Sequence, residues 1–101
     1  MPRPFEMLFI ITYDIASDRP GDRRRAKVAK LLESRGLRVQ GSVFEVSMGP
    51  EKLPGLVDEL HELIDGSVDS IRFYPICSSC AERHQRLGTA AIIEDDCFLV
   101  W

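Results

Sequence analysis

The sequence predicts an α+β fold, in which one sheet carries two helices on one of its faces. Apolar stretches typical of strands alternate along the chain with two segments that have the apolar spacing of amphipathic helices. The chain has 101 residues, which fits a single domain at residues 1–101. Its content of 45% hydrophobic and 29% charged residues is ordinary for a globular protein and argues against a disordered chain.

The first strand is predicted at residues 5–14, where FEMLFIITYD forms a continuous apolar run. Such a run is typical of a central strand that is covered on both faces. The turn sequence DRPG follows, and either Asp18 or Asp22 is a suitable N-cap for a helix. This first helix is predicted to reach about Arg35 and to end at Gly36.

Residues 38–48 are predicted to form two short strands rather than one. The apolar alternation changes phase between Val43 and Phe44, and a straight strand has a side-chain period of two. A bulge or tight bend near residues 42–44 would restore the alternation. We expect Phe44, beside this fault, to be partly exposed.

The second half of the chain supplies a helix and further strands. Apolar residues recur at i, i+3, i+4, i+7 and i+11 from Leu53 to Ile64, which predicts an amphipathic helix. Residues 70–76 alternate as a strand, and residues 78–87 favour at most a helical turn. The apolar CFLVW at 97–101 predicts a last strand.

The predicted order, βαββαβ with an extra C-terminal strand, favours the ferredoxin-like arrangement. We place the core at about residues 1–78 and a C-terminal extension at about residues 79–101. A terminal strand as apolar as FLVW would be an aggregation-prone edge unless it pairs with something, and pairing across a homodimer is one solution.

Positive charge is concentrated in one part of the chain. The formal net charge is −3, yet the segment from Arg19 to Arg38 holds eight of the thirteen basic residues against only Asp22 and Glu33. That segment carries +6, so the remainder carries −9. Segregated charge of this kind makes a local field that can attract a polyanion.

An acid and the arginines are predicted to share one edge of the molecule. Asp14 ends the first strand and Arg23–Arg25 open the helix that follows, so both lie at the same end of the sheet. We expect Arg24 and Arg25 to point inward over the strand tip. One interpretation is an internal ion pair between Asp14 and these arginines. The other is phosphate binding by arginine together with a divalent metal on Asp14, completed by a second Asp14 across a two-fold axis.

Several of these segments together resemble the CRISPR-associated Cas2 family. The resemblance rests on the strand that ends in Tyr13-Asp14-Ile15, the Arg/Lys-rich helix start, RVQGSVFE at 38–45 and SIRFYPIC at 70–77. It covers roughly residues 7–80. It implies a ferredoxin-like fold, a homodimer, and a C-terminal strand that packs on the partner's sheet.

The resemblance also implies a function. Members are described as metal-dependent endonucleases that act on single-stranded RNA or double-stranded DNA, and as proteins that bridge Cas1 integrase dimers. We therefore expect a protein of CRISPR spacer acquisition with Mg²⁺-dependent endonuclease activity. The alternative is a non-catalytic DNA-binding scaffold between Cas1 dimers.

The resemblance implies a set of site residues, which are Tyr13, Asp14, Arg25, Lys27, Arg38 and Phe44, and the charge pattern adds Arg19, Arg23 and Arg24. Asp14 is the expected catalytic residue and metal ligand, with one Mg²⁺ ion shared between the two Asp14 side chains of a dimer. The expected nucleic-acid-binding residues are Arg19, Arg23, Arg24, Arg25, Lys27 and Arg38, and the expected supporting residues are Tyr13, Ser42 and Phe44. Tyr13 and Phe44 could stack on bases, although aromatic residues in strands more often belong to the core.

The cysteines offer a different hypothesis. Cys77, Cys80 and Cys97 are too few for a secreted disulfide scaffold. CSSC at 77–80, with His84 and Cys97, could hold zinc, and a domain that senses a metal or small ligand is the third functional hypothesis. A thioredoxin-type redox role is disfavoured because the expected βαβ context is missing, and half-buried, inert thiols are the default expectation.

The sequence also indicates where the protein resides. No stretch approaches the ~20 apolar residues that a membrane-spanning helix needs. The first apolar run follows Glu6, ends in Asp14, and has no small-residue cleavage site after it, unlike a signal peptide. We expect a cytoplasmic protein without a membrane partner.

Overall fold

The computed structural model describes residues 6–85 and residue 87. The elements within this part are β1 (Met7–Asp14), α1 (Arg19–Glu33), β2 (Leu37–Gln40), β3 (Val43–Met48), a 3₁₀ turn (Pro50–Lys52), α2 (Leu53–Leu63), β4 (Ser70–Ile76) and α3 (Ser78–Arg83). The four strands form one antiparallel sheet in the order β2-β3-β1-β4. This confirms the predicted α+β, ferredoxin-like βαββαβ core. The strand expected at 97–101 lies outside the described residues.

The core lies between the sheet and the two long helices. Alternate residues of β1 and β3 face α1 and α2, as the strand period of two requires. The most deeply buried side chains, each at most 2% exposed, are Phe9, Ile11, Val28, Leu32, Phe44, Val46, Leu56 and Leu60. Because each such side chain contributes about 1.5–3 kcal/mol when it is buried, this layer holds the sheet edge and the start of α1 in a fixed relation.

The start of α1 is set by a cap and a glycine. Asp18, rather than Asp22, is the N-cap, and its Oδ1 accepts a hydrogen bond from the Gly21 backbone N–H at 2.7 Å. A Cβ atom on residue 21 would overlap the carbonyl oxygen of Ala16, so only glycine allows this approach. The loop between β1 and α1 is therefore packed tightly against the first turn of the helix.

The predicted phase fault is a turn with a nearby irregularity. Gly41 and Ser42 form the turn between β2 and β3, and the β2–β3 register shifts between Arg38 and Gln40. Two strands are confirmed, but the expected exposure of Phe44 is wrong. The turn comes before Val43, so all of β3 keeps one phase and Phe44 is fully buried in the core.

A small second cluster covers part of the other sheet face. Ala81 of α3 is fully buried against Leu8, with Ile10 and Ile76 beside them. The helical turn predicted in residues 78–87 is thus a short helix that is anchored to β1. No helix within residues 6–85 is both long and apolar enough to cross a membrane.

Candidate nucleic-acid interface

Asp14 lies at the exposed end of β1. It is the last residue of the strand and is paired in register with Ser70 of β4. Within residues 6–85, its carboxylate accepts no hydrogen bond and forms no ion pair. The interpretation of Asp14 as the internal partner of the arginines is therefore wrong for the described part of the chain, because those arginines have other partners.

Asp14 opens onto a cleft that also contains arginines. The cleft has a volume of about 410 Å³ and is lined by Tyr13, Asp14, Ile15, Ser17, Arg25, Arg38, Gly41 and Ser42. It brings together the end of β1, the first turns of α1 and the β2–β3 turn. The expected neighbourhood of Asp14 and Arg25 is thus present within a single chain.

Arg25 holds the backbone that leaves β1. One of its terminal nitrogens, NH2, donates to the carbonyl oxygens of Ile15 at 3.1 Å and Ala16 at 2.9 Å. The other, NH1, pairs with Asp22 Oδ1 at 2.8 Å. As expected, Arg25 points back over the strand tip. Its side chain is still 34% exposed, so it contributes positive charge to the cleft that Asp14 lines.

Arg24 has an internal partner that sequence reasoning missed. Its Nε and NH2 donate to the two carboxylate oxygens of Asp69 at 2.6 and 3.2 Å. The Asp69 side chain has no exposed surface and also accepts from the backbone N–H groups of Ala16, at 3.0 Å, and Asp65, at 2.9 Å. The hydrogen bonds from Arg24 lower the pKa of Asp69 from 3.8 to about 2, against the opposing effect of burial.

These contacts revise the expected role of Arg24. A guanidinium that bonds both oxygens of a fully buried carboxylate is positioned by that carboxylate and joins α1 to the start of β4. Asp69 carried no distinguishing signal in the sequence. It is one acid among several after α2, and its partner is 45 residues away.

Arg38 lies over the aromatic residues of the core. It donates to the Gly41 carbonyl at 2.9 Å, to Glu33 at 3.1 Å and to the Tyr13 hydroxyl at 3.3 Å. Its guanidinium carbon is 5.4 Å from the centroid of the Phe44 ring, a cation–π contact. Part of the Arg38 surface remains open on the cleft.

Tyr13 and Phe44 are core residues rather than stacking platforms. They are 6% and 0% exposed, and their ring centroids are 6.1 Å apart. Base stacking by these two rings is ruled out in this conformation, because a base needs an exposed ring face. They instead hold Arg38 in place, through the Tyr13 hydroxyl group and the face of the Phe44 ring.

The remaining cations of α1 form a surface that we call the outer stripe, which consists of Arg19, Arg23, Lys27 and Lys30. At about 100° per residue these four side chains fall within a sector of about 80°. All four are exposed, and none has a side-chain hydrogen bond or ion pair in the part of the chain that the structure describes. Lys30 was missed as a site residue, although its spacing from Arg23 and Lys27 would have indicated it.

The outer stripe keeps its charge because the nearby acids are already used. Asp22 and Glu33 are the only acidic residues between Arg19 and Arg38. Asp22 pairs with Arg25, and Glu33 pairs with Arg38. Four positive charges on one face of α1 are therefore left for solvent or for an anionic ligand.

The cysteine motif differs from its expected burial. Cys77 and Cys80 are free and exposed rather than half-buried. Cys97 lies outside the described residues. Within those residues, no group of three or more His, Cys, Asp or Glu side chains is placed to hold a metal ion. A zinc site with His84 would thus need ligands from elsewhere.

Fold and site together define a class: a small ferredoxin-like domain with an exposed acid at the tip of its first strand, followed by a helix with a cationic face that has no acidic partner among the described residues. Comparison with known proteins makes the class specific. The model of the family described as CRISPR associated protein Cas2 matches residues 7–84. The chain belongs to this family.

Relatives and solved structures agree with the family. The chain is 45% identical over 80 residues to a CRISPR-associated endoribonuclease Cas2 of Rhodospirillum rubrum, covering 79% of this chain but only 61% of that relative. It is 38% identical over 89 residues to the CRISPR-associated endonuclease Cas2 of Halalkalibacterium halodurans, covering 87% and 93% of the two chains.

Two solved structures are similar in fold and sequence. The crystal structure of Streptococcus pyogenes Cas2 has a TM-score of 0.72 and 38% identity, and the match covers 81% of this chain and all of that one. A chain of a partial Cas6-RT-Cas1–Cas2 complex has a TM-score of 0.64 and 34% identity, with 80% and 90% covered.

Proposed function

We propose that this protein acts in CRISPR spacer acquisition and that it binds nucleic acid through the outer stripe, beside a Mg²⁺-dependent endonuclease site at Asp14. The observation that carries the proposal is that the exposed Asp14 carboxylate shares a cleft with Arg25 of α1, the same helix whose outer stripe has no acidic partner in the described residues. Both features are costly for a merely structural surface, since like charges repel and the fold gains nothing from them.

Phosphate charge is the property that the outer stripe can recognise. The stripe runs along α1 for about 16 Å, at 1.5 Å per residue, so it spans several phosphates of a strand. Binding of this kind neutralises phosphates, releases counterions and does not depend on base sequence. Single-stranded RNA and double-stranded DNA are therefore both suitable substrates, and we place the protein in the cytoplasm with them.

The Asp14 carboxylate fits a hard divalent cation. Mg²⁺ takes oxygen ligands and is commonly held by one or two carboxylates together with phosphate oxygens and water. Asp14 is exposed and accepts no hydrogen bond in residues 6–85, and its charge acts on Arg72, whose pKa is raised by Tyr74 and further by Asp14. Because the described residues of one chain place a single carboxylate in this cleft, the proposed site takes the second Asp14 from a homodimer partner. The bound ion would activate water and neutralise charge on the phosphate.

The chain's own residues prepare this edge for a phosphate. Arg25 and Arg38 line the same cleft as Asp14, and hydrogen bonds to backbone carbonyls hold both guanidiniums in place. Fixed positive charge beside the scissile phosphate stabilises the charge that develops during hydrolysis without reorganisation. Ser42 adds a hydroxyl group to the same cleft.

The alternative function is a non-catalytic scaffold that clamps DNA between Cas1 integrase dimers. The structural neighbour from a Cas1–Cas2 complex supports Cas1 as a partner. Asp14 is the one carboxylate that the described residues bring to the cleft, which favours this alternative, because two carboxylates around one ion make a sparse active site. The outer stripe would serve both functions equally.

Substitution of Asp14 separates the two functions. We expect wild-type protein to cleave RNA or duplex DNA in the presence of Mg²⁺, and we expect EDTA to abolish the cleavage. Asp14→Asn should reduce cleavage at least about 100-fold while leaving nucleic-acid binding intact. Glu62→Gln, an exposed change on α2, is the matched control and should have no effect.

Two outcomes would decide against the nuclease. Cleavage that persists in Asp14→Asn would mean that another site or a contaminant is responsible. If wild-type protein binds DNA and supports Cas1-dependent integration, but neither it nor Asp14→Asn cleaves, the scaffold is correct.

Calorimetric titration with Mg²⁺ adds a stoichiometry, for which we expect one ion per two chains and no binding in Asp14→Asn.

A further inference from the structure

Two thiols lie together where β4 ends. Cys77 follows the last residue of β4 and is the N-cap of α3, and Cys80 lies in the first turn of that helix. Both cysteines are exposed and unbonded to each other. The proposed nuclease function uses neither of them.

The turn that carries the thiols is held in place by a backbone hydrogen bond and by packing against the sheet. The Ala81 backbone N–H donates to the Cys77 carbonyl at 2.9 Å, which closes the turn. Ala81 is fully buried against Leu8 of β1, so the turn is anchored to the sheet. Cys77 is the N-cap of α3 and Cys80 is its third residue, so the two cysteines lie one turn apart at the same end of the helix.

Metal binding by this pair has little support in the described residues. Two thiolates are half of a structural zinc site, which takes four ligands. No third His, Cys, Asp or Glu completes a group with them in residues 6–85. His84, the nearby candidate, has its Nδ1 2.8 Å from the Ala81 carbonyl oxygen.

We propose that Cys77 and Cys80 form a reversible dithiol–disulfide site that exchanges with small-molecule disulfides. The proposal stands on their adjacency in one anchored turn and on their exposure to solvent. It is independent of the nuclease, and it assigns a modification site to the junction between the ferredoxin-like core and the C-terminal segment.

The exchange balances as two successive attacks. The Cys77 thiolate attacks one sulfur of a small disulfide RSSR, forming a mixed disulfide and releasing one thiolate. Cys80 then loses its proton and attacks the Cys77 sulfur, forming the Cys77–Cys80 bond and releasing the second thiolate. The two protons of the cysteine thiols pass to the released thiolates, and two electrons pass from the cysteines to RSSR.

The surroundings assign different roles to the two thiols. The Ser79 hydroxyl, with Sγ and Oγ 3.4 Å apart, and the Cys80 backbone N–H lower the pKa of Cys77 to about 7. The pKa of Cys80 is raised by its hydrogen bond with Cys77. Cys77 is thus the attacking thiol near neutral pH, and Cys80 is the resolving thiol.

Peptide mapping of the full-length protein tests the site. Protein is equilibrated at pH 7 in mixtures of reduced and oxidised glutathione, quenched with acid, alkylated and digested with trypsin. Cleavage after Arg72 and Arg83 leaves Cys77 and Cys80 in one peptide without Cys97. We expect this peptide to change from a doubly alkylated form to an unalkylated form with an internal disulfide as oxidised glutathione increases, and to change back on reduction.

Single substitutions separate the roles and provide the control. Cys80→Ser should trap a mixed disulfide at Cys77, and Cys97→Ser should leave the exchange unchanged. At pH 7, alkylation of Cys77 in Cys80→Ser should be about five-fold faster than alkylation of Cys80 in Cys77→Ser. Ser79→Ala should slow the alkylation of Cys77 at pH 7.

Three results would overturn the proposal. The first is a peptide that remains a dithiol in fully oxidised glutathione. The second is a disulfide between Cys97 and either cysteine of the pair. The third is stoichiometric zinc in the purified protein that protects both thiols from alkylation until a chelator removes it.

Discussion

The arginines and lysines of α1 fall into two groups that differ only in helical phase. Arg24 and Arg25 point back toward the sheet and bind Asp69, Asp22 and backbone carbonyls. The outer stripe occupies a different sector of the helix and has no acidic partner in the described residues. Three consecutive arginines therefore serve two purposes, since the first, Arg23, belongs to the outer stripe and the other two hold the fold.

The difference shows why local charge alone does not identify a binding residue. A cation can contribute to phosphate binding at full strength only if the protein has not already neutralised it. The side chain of Arg24 is 19% exposed, and both oxygens of its partner are within hydrogen-bond distance. Arg23, the residue next to it, is exposed and unpaired among residues 6–85.

Neutralising the whole outer stripe should give the largest effect. A variant with Arg19→Gln, Arg23→Gln, Lys27→Gln and Lys30→Gln should bind duplex DNA on the order of 1,000-fold more weakly at low salt. The slope of log K against log salt should become shallower by about 3.6, because each of the four lost phosphate contacts removes about 0.9 from it. Fluorescence anisotropy at several salt concentrations measures both quantities.

Two exposed cations outside α1 provide the control for that variant. Lys52→Gln with Arg83→Gln should leave most of the affinity and the slope intact. If this pair reduces the slope as much per charge as the outer-stripe variant does, binding follows net charge rather than the stripe.

Removing the charge of Asp69 should give the next largest effect, on folding rather than on binding. Asp69→Asn weakens four hydrogen bonds to a fully buried carboxylate and leaves Arg24 without its counter-ion. We expect a loss of about 2 kcal/mol in the free energy of unfolding, measured in urea. Asp58→Asn, an exposed change on α2, should alter it by less than about 0.5 kcal/mol.

The same carboxylate predicts an acid-labile part of the stability. Because the folded-state pKa of Asp69 is lowered from 3.8 to about 2, its contribution is complete above about pH 4 and is lost as the pH falls toward 2. Urea unfolding from pH 7 to pH 2.5 should show the gap between wild type and Asp69→Asn narrowing below about pH 4. A gap that stays constant over that range would mean that Asp69 is not held as a charged partner.

Sequence patterns predicted the elements well because those patterns are local. The apolar run of β1, the cap of α1, for which Asp18 and Asp22 were both candidates, and the apolar face of α2 each depend on neighbours within a few residues. The phase fault also predicted a break between β2 and β3. The predicted exposure of Phe44 was wrong because a change of phase shows that the strand must break, but it does not show whether the turn comes before or after Val43.

The site was predicted only in part because its long-range partners leave no local trace. The shared edge of Asp14 and Arg25 followed from strand-to-helix connectivity. The partner of Arg24 did not, since Asp69 lies 45 residues away along the chain. Similarly, the exposure of Cys77 and Cys80 depends on how α3 docks on β1, which the motif itself does not specify.

One matched pair of neighbouring substitutions, Arg23→Gln and Arg24→Gln, tests most directly whether the cations of α1 are divided into a binding group and a structural group. For each variant, the salt dependence of DNA binding and the free energy of unfolding are measured together. We expect Arg23→Gln to make the salt slope shallower by about 0.9 at unchanged stability, and Arg24→Gln to lose about 2 kcal/mol of stability at an unchanged slope. Equal losses of slope in the two variants, with both as stable as wild type, would contradict the division.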